Sequence, residues 1–243
     1  MMSKNTQFIA SWAAVSIVAE STGAAVALVV AALSWVGAIP VVLLEAFLLA
    51  GGQRWVLRGR HAGLERGWFF ATLTGTLLGR SVQFAAAGSG IATAVAMMPP
   101  TAVQAAFGAL LGALVGALMA APQAFILRSR IKQAGRWVAI RALAWSVALP
   151  SLLLAGTWIA NMSAYGITGL VLAMFASFAL VGAFVGLVEG YALSRLIRLV
   201  VDWQIRLAAL RRRRRSGPHS RRSKRLPAAG ASGFAEHVAP TIG

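Results

Sequence analysis

The chain has 243 residues, of which 58% are hydrophobic and only 12% charged, with 23 Lys and Arg against 6 Asp and Glu and a formal net charge of +17. A soluble domain averages about 45–50% apolar and about 25% charged residues, so this composition points to a membrane protein. There is no Cys, which excludes disulfide frameworks, thiolate metal sites and Cys nucleophiles.

A helix that crosses the hydrocarbon needs about 20 mainly apolar residues. Six runs meet that length: residues 8–31, 36–57, 68–87, 102–127, 137–157 and 166–194. They lack the strict alternation of a β-barrel strand, and backbone polar groups in lipid must be satisfied internally, so all six read as transmembrane helices. The first run carries Glu20 and continues through Val29, Val30 and Leu33 without a small-residue cleavage site. It reads as a retained helix rather than a signal peptide. His61, His219 and His237 lie outside the runs, which argues against a metal site in the bundle.

Charge alternates between connections. Residues 58–67 carry Arg58, Arg60 and Arg66, and residues 128–136 carry Arg128, Arg130, Lys132 and Arg136. Residues 32–40, 88–101 and 158–165 hold no Lys, Arg, Asp or Glu. Short cytoplasmic loops carry the Lys/Arg excess, so both termini and the two basic loops are expected on the cytoplasmic side of a bacterial inner membrane. Trp12, Trp68, Trp137 and Trp203 fall at the inner boundary, with Trp35, Trp158 and Tyr165 at the outer one. Amphipathic rings favour both interfaces.

Three segments share a pattern: Gln53-Arg54-Trp55-Val56-Leu57, Gln123-Ala124-Phe125-Ile126-Leu127 and Glu189-Gly190-Tyr191-Ala192-Leu193. Each has a carboxamide or carboxylate, an aromatic two residues on and Leu four residues on. Trp68, Trp137 and Trp203 follow Gln53, Gln123 and Glu189 by 15, 14 and 14 residues, and Trp12 supplies the matching start of the first unit. The fold class expected is therefore all-α membrane: six transmembrane helices arranged as three parallel two-helix pseudo-repeats about an axis along the membrane normal. The segments 50–68, 120–137 and, more weakly, 186–203 resemble repeats in uncharacterised bacterial multi-pass membrane proteins, in which Gly-x-x-Gln-Trp-x-x-Leu-Arg ends a helix. That resemblance implies no activity. The acidic and basic signature of three-repeat mitochondrial carriers is missing after Pro122 and Pro150.

Small residues recur every fourth position: Gly23, Ala27 and Ala31; Ala71, Gly75 and Gly79; Gly108, Gly112, Gly116 and Ala120; Gly182, Gly186 and Gly190. Four residues is about one helical turn, so each set forms a smooth stripe where helices can approach closely.

Three of the six acidic residues, Glu20, Glu45 and Glu189, stand inside apolar runs, as does Arg80. A charge at a helix centre is unfavourable by about 2.5–3.5 kcal/mol on insertion scales, so these positions are candidate sites. At about 1.5 Å per residue, Arg80 lies roughly 18 Å beyond Trp68 and Glu45 roughly 20 Å before Arg58. The matched depths predict a buried Glu45–Arg80 ion pair. Glu20 lies only roughly 12 Å beyond Trp12. Gln53, Gln123 and Glu189, nearer the inner end, are expected to form a polar ring. No nucleophile–base set, phosphate loop or pair of metal-spaced acids is visible, so no enzyme activity and no cofactor is expected.

Beyond the sixth run, Leu196, Leu199, Val200, Trp203, Leu207 and Leu210 mark one face of an amphipathic, interfacial helix over 195–215. Arg211, Arg212, Arg213, Arg214, Arg215, Arg221, Arg222, Lys224 and Arg225 place nine basic residues in fifteen positions. Such a cluster attracts anionic lipid headgroups at about 1 kcal/mol per charge. It lacks the stacking platform of a nucleic-acid site. Residues 216–243, rich in Gly, Ala, Pro and Ser, are expected to be disordered. The functional expectation is a structural or interaction protein whose partners are the lipid bilayer, its anionic headgroups and a membrane protein or second copy of the chain. The alternative is a small-solute or ion transporter or channel using the intramembrane Glu and Arg groups.

Overall fold

The computed structural model describes residues 3–33, 35–58, 64–96, 102–131 and 133–215. These residues are helical, with no strand among them: α1 Lys4–Leu33, α2 Trp35–Arg58, α3 Glu65–Gly88, α4 Ile91–Ala96, α5 Ala102–Arg128, α6 Gly135–Leu154, α7 Gly156–Met162, a short 3-10 turn Ser163–Tyr165, and α8 Gly166–Arg215. Gly90 and Gly166, with φ of 75° and 76°, make the left-handed turns before α4 and at the start of α8.

Four helical segments are long and apolar enough to cross a membrane: Ile39–Arg58, Ala102–Arg128, Gly135–Leu154 and Gly166–Arg198. α3, which carries Arg80, stands outside that set. Two of the uncharged connections contain helix, as α4 and α7; Ile91–Ala96 places Ala at every second position and holds no proline. The expected boundary at residue 194 falls within α8, whose sequence presents no Pro or Gly between Gly190 and Gly217 to end it. The chain divides into two compact units, Met1–Val200 and Val201–Gly243. In the second unit, residues 201–215 are helical. The side chains of Trp203 and Arg211 to Arg215, residues Arg221, Arg222, Lys224 and Arg225, and the 216–243 tail lie outside the described residues.

Within the first unit the long helices meet through their small residues. A Cβ added at Gly75 would overlap the Met119 carbonyl oxygen, joining α3 to α5, and one at Gly112 would overlap that of Trp145, joining α5 to α6. Gly182 and Gly186 of α8 bring the α1 backbone at Ser16 and Ala13 within 2.7 and 2.8 Å of such a Cβ. Gly23 lies against Glu45, and Gly52 against Val15, where α1 meets α2. Ala144, Trp145 and Ala148 of α6 share a core with Val181 and Val185 of α8. Close contact of this kind needs no hydrophobic force from water.

Polarity is distributed inside out. Glu20, Glu45, Gln53, Thr72, Thr76, Arg80, Gln123, Arg141 and Glu189 are buried, while Phe70, Leu110, Leu143, Ile167 and Leu180 face outward. An apolar exterior of that extent is foreign to a soluble monomer.

Candidate functional site

Two polar clusters occupy the interior. The first begins with three tryptophans, one near the start of each of α1, α3 and α6. Trp12, Trp68 and Trp137 are fully buried, and their rings meet edge on, with centroids 5.9 Å apart for Trp12 and Trp68 and 5.8 Å for Trp68 and Trp137. Their expected place as interfacial anchors is therefore corrected: spacing along a helix fixes depth but leaves azimuth open, and these rings point inward. Trp55, Phe125 and Tyr191 are the aromatics of the three-fold sequence pattern that face outward. The Leu of each pattern copy, Leu57, Leu127 and Leu193, is fully buried in the core with the three tryptophans.

Each indole N–H finds the polar residue of one pattern copy. Trp68 Nε1 donates to Gln53 Oε1 at 2.9 Å, Trp137 Nε1 to Gln123 Oε1 at 2.8 Å, and Trp12 Nε1 to Glu189 Oε2 at 3.4 Å. Further bonds link the three. Thr72 Oγ1 donates to Gln53 Oε1 at 3.1 Å, and Gln123 Nε2 donates to Thr72 Oγ1 at 2.7 Å. Arg141 Nη1 donates to Gln123 Oε1 at 2.9 Å, while its Nε donates to Glu189 Oε1 at 2.5 Å. Gln53, Gln123 and Glu189 are thus joined through Thr72 and Arg141.

Arg141 escapes the sequence reading. It lies five residues past Arg136 and reads as the end of the flanking basic cluster. The available signal was its register: Ser16, Thr72 and Arg141 each stand four residues after Trp12, Trp68 and Trp137, one turn deeper on the same helix face.

The second cluster centres on Arg80 of α3. Its Nε donates to Glu45 Oε1 at 2.9 Å, its Nη2 to the same oxygen and to Glu20 Oε2 at 2.5 Å, and its Nη1 to Gln83 Oε1 at 2.6 Å. The structure therefore brings Glu45 and Arg80 together and adds Glu20. The one-turn depth offset of Glu20 is closed by the length of the Arg side chain, which leans toward its own helix N-terminus. The guanidinium carbon lies 5.7 Å from the ring centroid of Trp145, a cation–π distance.

Chemically, the interior offers ion pairs and amide and indole hydrogen bonds held in a low-dielectric setting. Among the described residues no group of three His, Asp or Glu is placed to hold a metal ion. A cavity of about 300 Å³ between α6 and α8 is lined chiefly by apolar residues, including Val147, Leu152, Trp158, Leu180 and Phe184, and none of the ionisable groups reaches it. Fold and site together define an all-helical protein with several helices apolar enough to be embedded in a membrane. No family model, curated protein or solved structure matches the chain.

Proposed function

We infer that this is a multi-pass integral membrane protein with a structural or interaction role and no enzymatic chemistry. In this reading α1, α2, α3, α5, α6 and α8 all cross a bacterial inner membrane as three two-helix units, with both termini cytoplasmic. The observation that carries it is that both buried guanidiniums are fully engaged by side chains of neighbouring helices. Arg80 is occupied by Glu20, Glu45 and Gln83, and Arg141 by Glu189 and Gln123, so each guanidinium acts as a clamp between helices. α3 joins the four apolar helices because the charge that lowers its hydropathy, Arg80, is paired inside with Glu20 and Glu45, and α1 joins them through its long apolar sequence. The three-unit reading draws on the Trp–Gln and Trp–Glu bonds, one for each copy of the sequence pattern, and on the resemblance to repeats of bacterial multi-pass proteins.

The basic residues Arg211 to Arg215, Arg221, Arg222, Lys224 and Arg225 then serve to hold anionic headgroups or an acidic partner at the cytoplasmic surface. Mass spectrometry of lipid that stays with the purified full chain tests this. The wild-type chain is expected to enrich phosphatidylglycerol over phosphatidylcholine, and replacement of Arg211 to Arg215 by Gln is expected to remove that preference. An unchanged lipid ratio would overturn the headgroup assignment. A second reading, a small transporter or channel, is favoured by one observation: two carboxylates converge on a single guanidinium at Arg80.

A further inference from the structure

The Arg80 site is unbalanced. Two carboxylates face one guanidinium, a formal charge of −1 with both acids ionised. Glu20 is 2% exposed, Glu45 1% and Arg80 6%. An uncompensated charge so deeply buried is strongly unfavourable. Among the described residues the neighbouring helices bring no second cation to it. Arg141 of α6 is engaged by Glu189 and Gln123. Glu189, from α8, is itself an acid. α5 turns Gln123 and the uncharged Met119 and Val115 inward, and α1 adds only Ser16 and Ser21 to Glu20. A neutralising species therefore comes from outside the chain, and the smallest is a proton.

A separate observation points the same way. Thr72, Thr76 and Arg80 succeed one another at single turns along α3 and are all buried. Thr72 belongs to the Trp-capped cluster and Arg80 to the carboxylate cluster. Thr76, between them, is 1% exposed, and its hydroxyl has no hydrogen-bond partner. Trp145, whose ring lies against Arg80, is also 1% exposed, with an unpartnered Nε1. At the far end Gln53 Nε2 is unpartnered as well. Buried donors and acceptors without partners mark places where water belongs, given two or more polar groups to hold it.

We propose that the Glu20–Glu45–Arg80 triad binds one exchangeable proton, and that a water held at the unpartnered Thr76 hydroxyl carries it between the triad and the Gln53–Gln123–Glu189 cluster. Uptake forms one carboxyl O–H bond and breaks one O–H bond of the protonated water. No electrons are transferred, and the triad becomes neutral. This goes beyond the structural role above and stands independently of the lipid preference of the basic segment.

Infrared spectroscopy of the full chain in phosphatidylcholine vesicles, in water and then in deuterium oxide, tests it. The wild-type chain is expected to show the carbonyl stretch of a buried protonated carboxyl that shifts on deuteration. Glu20→Gln and Glu45→Gln should each abolish the band, because the remaining carboxylate is matched by Arg80, while Gly51→Ala, with nothing near its Cβ, should keep it. Thr76→Val should keep the band and slow its deuteration by about tenfold or more, the factor equivalent to one lost hydrogen bond. Should Glu45→Gln fail to fold, Glu20→Gln decides alone. A wild-type spectrum without the band, a band indifferent to both triad substitutions, or one that emerges only when sodium is withdrawn overturns the proton site. Unchanged deuteration in Thr76→Val overturns the water link.

Discussion

Trp12 donates its indole N–H to Glu189 Oε2 across 3.4 Å of space and 177 positions of sequence. The bond ties the first long helix to the last. It has the same form as the Trp68–Gln53 and Trp137–Gln123 bonds, but its acceptor is a carboxylate rather than an amide, and that carboxylate is also held by Arg141. One junction of the bundle thus carries an ion pair, where the indole acceptors of the other two are neutral amides.

That difference makes the Arg141–Glu189 pair separable. Glu189→Gln retains an acceptor for Trp12 but strands a buried guanidinium, and Arg141→Gln strands a carboxylate. Each single change is expected to lower stability by about 3–5 kcal/mol. The double change should cost clearly less than their sum, as expected of direct partners. Thermal unfolding of the purified chain in detergent measures both. Simple additivity would mean the two charges do not support each other.

Around Arg80 the ranking of single substitutions follows from the count of partners. Arg80→Gln leaves two carboxylates without their cation, whereas Glu20→Gln or Glu45→Gln leaves a balanced pair. Arg80→Gln should therefore be the most damaging of the three, by about 3 kcal/mol or more, and should be eased by adding Glu20→Gln and Glu45→Gln. Equal losses for all three substitutions would contradict the shared-hub geometry.

Glycine contacts give a sharper contrast. Gly112→Ala forces a Cβ onto the Trp145 carbonyl oxygen and should destabilise by about 1–3 kcal/mol as α5 and α6 are pushed apart. Gly51→Ala, with nothing near its Cβ, should be neutral or stabilising by up to about 1 kcal/mol through helix propensity. The same melting experiment reads both, and a neutral Gly112→Ala would refute the close crossing.

The buried tryptophans and the outward aromatics should likewise behave differently. Trp68→Phe removes the donor to Gln53 inside the core and is expected to lose about 1–3 kcal/mol. Trp55→Phe, 72% exposed, should change stability by less than about 0.5 kcal/mol. Intrinsic fluorescence should follow suit, with the solvent-sensitive component reduced in Trp55→Phe and unchanged in Trp68→Phe.

Depth was the legible coordinate in this sequence. Counting residues from Arg58 and Trp68 set Glu45 and Arg80 at one level, and the small-residue stripes marked the faces where α3, α5 and α8 approach their neighbours. Azimuth was not legible. Trp12, Trp68 and Trp137 sit at the expected ends of their helices, yet point to the interior rather than the lipid, because three rings can satisfy their N–H groups on Gln53, Gln123 and Glu189. Side-chain length was the other hidden variable: Arg80 reaches Glu20 across a full turn. Arg141 was concealed by its neighbours in sequence, since four basic residues just before it make a fifth look like more of the same flank. The uncharged connections hid α4 and α7, whose few apolar residues carry too little periodicity to distinguish helix from loop.

The Trp12–Glu189 junction also sets a timetable. A ribosome adds about 5–20 residues per second, so Trp12 waits on the order of ten seconds or more before its acceptor is made. Throughout that interval the first helix can dock on α2 and α3 through Glu20, while its Gly-matched face toward α8 stays open to lipid or to an insertion factor. A nascent chain arrested before residue 189 would hold the Arg80 clamp complete while the α1 face that meets Gly182 and Gly186 waits for α8.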